Sequence, residues 1–368
     1  MIHKIAITLL ILFTCSVNAS ALIDQQKHDP NVDWPTKEWS LNLNSFEKSE
    51  IFEEKIDFLF SESSYNQFGK TNALLVIQNG QIVFEQYNEP INTSTKLVSY
   101  SMAKSYTAAL AGIMLDQGYF KSIQQNNLFP HWTDLRKEIT IDDLLNMKSG
   151  LEFVEEYSTD GRSDTLEMIF GEGMLNQAKY ASNFSLARLP GTHYSYSTGT
   201  TNILSMLIKN YLESRNIDYY NFIDENLLKK IGLKNTTLEF DKSNTFIGGS
   251  SVFASARDYA KFGYLYLRDG KWENHQVISK KWIDATRVPS NHTDGLYSNK
   301  FWHMSENRHN SFNFPKDTYY CAGFGGQYIL IIPSQDIVMV RLGETYNTSS
   351  NKVLSFLGEI VREIPNEQ

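Results

Sequence analysis

Hydrophobic positions change their period several times along this chain, and each change marks a different element. Ala73-Leu-Leu-Val-Ile-Gln78 and Ile82-Val-Phe-Glu-Gln-Tyr87 are short apolar runs rich in β-branched residues, and Asn79-Gly80 lies between them. That dipeptide tolerates the left-handed backbone a tight hairpin needs, so the pattern predicts two antiparallel strands. From Ser101 to Gln117 the period lengthens. Met102, Ala103, Tyr106, Leu110, Ile113 and Met114 recur at helical spacing, and Gly118 offers a C-terminal stop.

From about 119 to 245 the pattern is mainly helical. Thr140-Ile-Asp-Asp143 reads as a capping box before Leu144 and Leu145, and Ile203, Leu204, Leu207, Ile208, Tyr211 and Leu212 fall along one side of residues 200–215. A shorter helix is predicted over 258–269. The period shortens again at Gln327–Ile332 and Ile337–Leu342, which flank a Pro-Ser-Gln-Asp turn, and a last helix covers about 350–363. An opening hairpin and closing strands around a helical middle predict an α+β fold. Residues 66–118 and 246–368 form its sheet domain, 119–245 a helical subdomain, and 22–65 an arm lying on the surface.

The first 21 residues read as a targeting segment. Lys4 precedes the apolar run Ile5–Phe13, and Ala19-Ser20-Ala21 offers small residues for cleavage. The run is too short to span a bilayer, so a periplasmic or secreted protein is expected. A lipid anchor at Cys15 is the alternative, although Phe13 and Thr14 suit that signal poorly. No later stretch approaches the length of a membrane span. The net charge of −8 argues against a nucleic-acid partner, which needs a cationic surface. Once a leader is removed, Cys321 is the remaining cysteine, so no internal disulfide is expected. The histidines show no H-E-x-x-H or comparable spacing, so neither metal nor cofactor is expected.

Three segments carry candidate chemistry. In Ser101-Met-Ala-Lys104 a serine opening a helix has a lysine one turn along on the same face. A buried amine of lowered pKa can take the serine proton, while the helix start supplies backbone N–H groups beside developing negative charge. The same spacing occurs at Ser45-Phe-Glu-Lys48 and Ser349-Ser-Asn-Lys352, but only Ser101 opens a long apolar helix after a hairpin. In His193-Tyr-Ser-Tyr-Ser-Thr198 a tyrosine close to the lysine can relay a proton to the leaving group. Tyr196, directly before the Gly199 turn and a helix, is preferred to Tyr194. In Cys321-Ala-Gly-Phe-Gly-Gly-Gln327 the glycines at a strand start permit close approach of a substrate backbone, or of a neighbouring helix.

In order along the chain these pieces resemble the serine β-lactamase and penicillin-binding protein superfamily. Within it they are most similar to the class C-like branch of esterases, D-aminopeptidases and 6-aminohexanoate-dimer hydrolases. The resemblance rests on Ser101-Met-Ala-Lys104-Ser105, Asp143-Leu-Leu-Asn-Met-Lys-Ser-Gly-Leu151, and Pro190-Gly-Thr192 ahead of Tyr196-Ser-Thr-Gly199. It rests also on the 248–263 segment from Gly248-Gly-Ser-Ser to Lys261-Phe-Gly263, and on Gly323-Phe-Gly-Gly-Gln327. It implies an antiparallel sheet flanked by helices with an all-helical insertion. It implies Ser101 as acylated nucleophile, Lys104 and Tyr196 as general base and acid, and the backbone N–H groups of Ser101 and Phe324 as oxyanion hole. Thr198, Cys321, Ala322, Gly323 and Gly325 fall at substrate-binding positions.

Cys321 and Ala322 stand where many members carry a cation and a hydroxyl that receive a substrate carboxylate. This departure makes penicillin-like substrates a poor expectation. Glu152, Glu155 and Glu156 read as a solvated charge run, and Trp302 and His303 as pocket wall or core. The function expected is hydrolysis of a small-molecule or peptide-like amide or ester through an acyl-enzyme. The alternatives are a non-catalytic sensor on the same fold, or D,D-peptidase or β-lactamase action.

Overall fold

The computed structural model describes residues 22–366 apart from 159, 305 and 347, so the expected leader lies outside the described residues. The chain enters through an extended segment and then forms α1 (Glu50–Phe60) and α2 (Tyr65–Phe68) before β1 (Lys70–Gln78) and β2 (Gln81–Tyr87). Both Asn79 and Gly80 at the hairpin tip have positive φ, 51° and 79°. Short β3 (Leu97–Val98) leads to a 3-10 turn at Tyr100–Met102 and α3 (Ala103–Asp116). The middle of the chain holds α4 (Ile141–Leu145), α5 (Asp164–Phe170), α6 (Gln177–Ser182), α7 (Thr198–Glu213) and α8 (Tyr219–Ile223). At its end β4 (Thr236–Leu238) pairs with β5 (Val252–Ala254), which also pairs with β3.

The chain returns to the main sheet through α9 (Ala256–Leu267), the small hairpin β6 (Lys271–Trp272) and β7 (His275–Gln276), and α10 (Lys280–Thr286). There follow β8 (Tyr297–Ser298), β9 (Phe301–His303), α11 (Glu306–Phe312), β10 (Tyr319–Gly323), β11 (Gln327–Ile332), β12 (Ile337–Glu344) and α12 (Ser350–Val361). Seven strands in the order β2-β1-β12-β11-β10-β9-β8 form the antiparallel sheet. No helix among the described residues is long and apolar enough to cross a membrane.

The central strands read as continuous apolar runs because both sheet faces are covered. Along β1, Ala73, Leu75 and Ile77 join the core shared with α3 and α9, whereas Leu74 and Val76 face the core under α1 and α12. Successive residues of a strand point to opposite faces, so one run serves two cores. Gly263 lets α9 lie close to the sheet, since a β-carbon there would press on Ile329 and Val338. The entering segment is tied to α9: Gln25 donates to the Tyr266 carbonyl at 2.9 Å, and Trp39 to that of Arg257 at 3.0 Å.

In α3 the structure departs from the one-sided stripe in the sequence. Every residue from Ala103 to Met114 is buried, including Lys104, Ser105 and Thr107. The helix runs through the interior, and Lys104, Ser105 and Thr107 each have a partner across the packing. Ser105 donates to the Lys300 carbonyl at 2.8 Å and Thr107 to that of Gly248 at 3.1 Å. A helical pattern records only apolar side chains, so it misses polar positions buried by such pairing.

Arg341 on β12, wholly buried, ties three sheet segments together. It donates to the carbonyls of Gly325 and Gly326 at 3.2 and 2.9 Å, and to those of Phe68 and Lys70 at 3.3 and 3.2 Å. Replacing it removes these buried hydrogen bonds; the Gly325 and Phe68 carbonyls keep donors in Gln327 and Thr345, and a carbonyl left without a donor costs about 1–3 kcal/mol. Arg341→Met is expected to lower stability by about 2–4 kcal/mol in urea unfolding, and an unchanged midpoint would contradict this role.

Candidate active site

Ser101 sits in the 3-10 turn that precedes α3. The turn is held by Ser99, whose N–H donates to the Val252 carbonyl at 2.8 Å and whose hydroxyl accepts from the Val252 N–H at 3.1 Å. Tyr100, just before the serine, takes a left-handed conformation with φ 44°, which is rare for a bulky residue. Such strain persists only where surrounding contacts impose it. One turn along, the Lys104 ammonium is 1% exposed and donates to Ser101 Oγ at 2.9 Å, Thr198 Oγ1 at 2.9 Å and the Gly249 carbonyl at 2.7 Å. Burial pushes its pKa down to about 8, opposed by the charge of Glu155.

Glu155 belongs to this assembly and not to a solvated run. Its carboxylate accepts from the Thr198 hydroxyl at 2.5 Å, the Thr198 N–H at 2.8 Å, the Tyr157 hydroxyl at 2.7 Å and the Thr165 hydroxyl at 3.0 Å. Since the single Thr198 proton goes to Glu155, the Thr198 oxygen accepts from Lys104, which donates on one side to Ser101 and on the other through Thr198 to Glu155. The carboxylate also meets the N-terminal end of α7, where the helix dipole favours negative charge. Glu152 and Glu156 stay exposed, and Glu152 pairs with Arg162 at 3.0 Å. Sequence carried no clue to the difference, since all three glutamates share one short irregular stretch.

Tyr196 is half-buried, with Lys104 Nζ 4.9 Å from the centre of its ring and its hydroxyl near enough to Ser101 for that side chain to pull its pKa down. Burial raises the phenol well above its ordinary pKa, with Ser101 opposing, so the proton is held tightly. The ring stacks on Trp302 at 5.6 Å and meets Tyr297 edge-on at 5.9 Å. The turn carrying it is braced by the 143–151 segment: the Ser195 N–H donates to the Met147 carbonyl at 2.8 Å, and Gly191 N–H to that of Lys148 at 2.9 Å. Trp302 thus orients Tyr196, while His303 is buried in the core and held near pKa 4 by desolvation.

The glycine-rich turn closes the site from the sheet. Gly323 abuts the Ser99 carbonyl so closely that a β-carbon would overlap it. Gly325 and Gly326 have φ of 73° and 74°. The Gln327 amide donates to the carbonyls of Phe324 and Gly325, each at 3.1 Å, which fixes the peptide units around Phe324. Cys321 is a correction to the expected binding set. Its side chain is fully buried on the α3 side of β10, so its thiol is out of reach of a ligand. Strand alternation sends Ala322 to the opposite face, where it packs with the α1–α12 core.

A cavity of about 260 Å³ opens beside Ser101, lined by Tyr100, Tyr157, Leu166, Ile169, Phe170, Thr198, Ser250 and Phe324. Tyr157 and the three residues of α5 were not singled out in the sequence, because their segments carry no motif, while Ser250 lies in the 248–263 segment but was given no role there. The other two Ser-x-x-Lys sites make no such assembly: Ser349 caps α12, and Lys48 donates to the Leu43 carbonyl at 2.8 Å. Among the described residues no three His, Cys, Asp or Glu side chains cluster to hold a metal ion.

Residues 69–353 match the family model described as Beta-lactamase. The 6-aminohexanoate-dimer hydrolase of Paenarthrobacter ureafaciens is 20% identical over 296 residues, covering 74% of this chain and 72% of that protein. A Bacillus anthracis structure provisionally named as a 6-aminohexanoate-dimer hydrolase superposes with TM-score 0.69 at 19% identity, covering 93% of this chain and 89% of that one. A class C beta-lactamase gives TM-score 0.63 at 15% identity, covering 88% of this chain and 99% of that one.

Burial raises the Cys321 thiol to about 12, so almost no thiolate forms at neutral pH. Iodoacetamide at pH 8 is expected to leave Cys321 unmodified in the folded protein and to alkylate it after denaturation, read by peptide mass mapping. Rapid labelling of the native state would refute this placement.

Proposed function

The chain belongs to the beta-lactamase family, and from that premise we propose that it hydrolyses an amide or ester through an acyl-enzyme on Ser101. The observation that carries this reading is the buried Lys104 ammonium, held on Ser101 Oγ at 2.9 Å with its pKa lowered to about 8. A fraction of the amine is then neutral near pH 7–8 and can accept the serine proton as Oγ bonds to the substrate carbonyl carbon. The carbonyl electron pair moves onto its oxygen, which the N–H groups of Ser101 and Phe324 receive. When the tetrahedral species collapses, the C–O or C–N bond breaks and the leaving group takes the Tyr196 proton, which the Lys104 ammonium replaces. Water then attacks acyl-Ser101 with the same pair accepting its proton, and a carboxylic acid departs.

The raised pKa of Tyr196 supports a donor role rather than the role of first base. Glu155 acts as a positioning residue: through Thr198 it fixes the direction in which Lys104 points, and its charge keeps the amine's pKa from falling further. Among the described residues no cation lines the cavity beside Ser101, which counts against efficient turnover of carboxylate-bearing β-lactams.

A fluorophosphonate probe is expected to label the wild type at one serine and to lose that label in Ser101→Ala; labelling that persists refutes the nucleophile. Because the base must be neutral, kcat/KM for an ester should rise with pH through a midpoint near 8. In Glu155→Gln the loss of negative charge should move that midpoint lower, and loss of positioning should reduce the plateau about 10- to 100-fold. A reduced plateau with an unmoved midpoint would make Glu155 merely structural.

A further inference from the structure

The walls of the cavity are apolar, and its polar atoms gather at one end. Ser101 and Thr198 are joined through Lys104, and Ser250 follows Gly249, whose carbonyl accepts from the same amine. The remaining hydroxyls are engaged elsewhere: Tyr157 donates to Glu155 at 2.7 Å, and Tyr100 lies 3.2 Å from the Tyr346 hydroxyl. Leu166, Ile169 and Phe170 form the wall contributed by α5. Opposite them the Phe324 ring is stacked between Tyr157 and Tyr346, both at 5.5 Å, with Tyr100 edge-on at 5.6 Å. Among the described residues no lysine, arginine or histidine lines the space; the charges beside it are the Lys104 ammonium at its polar end and the Glu155 carboxylate behind Thr198 and Tyr157. A carboxylate held among the apolar walls, away from Lys104, would lose water without gaining a cation.

Which half of the substrate enters follows from Tyr196. If Tyr196 protonates the leaving group, that group departs along the face where Tyr196 stacks on Trp302 and meets Tyr297. Tyr196 is not among the residues lining the cavity, so the half retained on Ser101 occupies it. A cavity of about 150 Å³ accepts a benzene ring, and an atom of water size takes about 30 Å³ more. The 260 Å³ here therefore fits a phenyl ring with about three further atoms, or a chain of about eight carbons.

We propose that the acyl half of the substrate is an uncharged hydrocarbon or arylalkyl chain of about eight carbons, seated between α5 and the Phe324 aromatic stack. This inference rests on the acyl-enzyme reading above and selects its substrate class.

The test compares kcat/KM for p-nitrophenyl acetate, octanoate, 3-phenylpropanoate and the mono-ester of octanedioic acid. A second series holds the acetyl group and lengthens the alcohol. Each buried methylene favours the reaction up to about fourfold, so octanoate should exceed acetate by about 100-fold or more. The octanedioate mono-ester should fall at least about tenfold below octanoate, and the alcohol series should be nearly flat. Ile169→Asp, checked for folding by circular dichroism and by fluorophosphonate labelling, should cut the octanoate-to-acetate ratio at least about tenfold. Equal rates for acetate and octanoate, octanedioate matching octanoate, or chain-length dependence confined to the alcohol would each overturn the assignment while leaving the acyl-enzyme intact. Absence of turnover on every ester would overturn both.

Discussion

One ammonium group organises this molecule. Taking a lysine charge out of water is costly unless each proton meets an acceptor, and Lys104 has three within 2.9 Å, on the turn before α3, on α7 and on the loop after β4. The farthest acceptor, Gly249, lies 145 residues from the lysine, and each segment is secured in turn. Asn202 Oδ1 receives the Gly249 N–H at 2.9 Å, and Ser197 caps α7 by accepting from Thr200. The lowered pKa that makes the amine a plausible base follows from the same burial that obliges its neighbours to converge. Stability and reactivity here have one physical origin.

Much of the scaffold was legible because its signals are local. Asn79-Gly80 announces a hairpin, Thr140 and Asp143 form the reciprocal cap expected of them, and the closing strands alternate between two cores. The meeting of Ser101 with Lys104 is also local, being one helical turn. Glu155 was not legible in this way. It lies in an irregular stretch without periodicity, and its partner Thr198 is 43 residues further on, so nothing nearby distinguishes it from exposed Glu152 and Glu156. Cys321 was misread for a related reason: position in a motif does not reveal which face of a strand a side chain occupies, and here it is the face packed on α3.

The wall around Phe324 shows how distant residues control one peptide unit. Gln327 binds the carbonyls of Phe324 and Gly325 and also exchanges two hydrogen bonds with Gly343, while Arg341 reaches under the same turn. Glycine is needed at 325 and 326 for their left-handed backbone, and at 323 because the Ser99 carbonyl leaves no space. The turn is therefore held from the sheet side and not by the helix that bears the serine. Two independently supported elements define the gap between them.

The pairing of β1 with β12 has a bearing on how the protein comes to exist. Leu75 sits opposite Val340, so the centre of the sheet joins the first strands made to the last. A nascent chain that has already produced Ser101 and Lys104 still lacks β10 to β12 and the Arg341 anchor, and long-range pairing of this kind is slow to close. Synthesis thus delivers Ser101 and Lys104 long before the frame around them, and the proposed site assembles only after β12 has emerged.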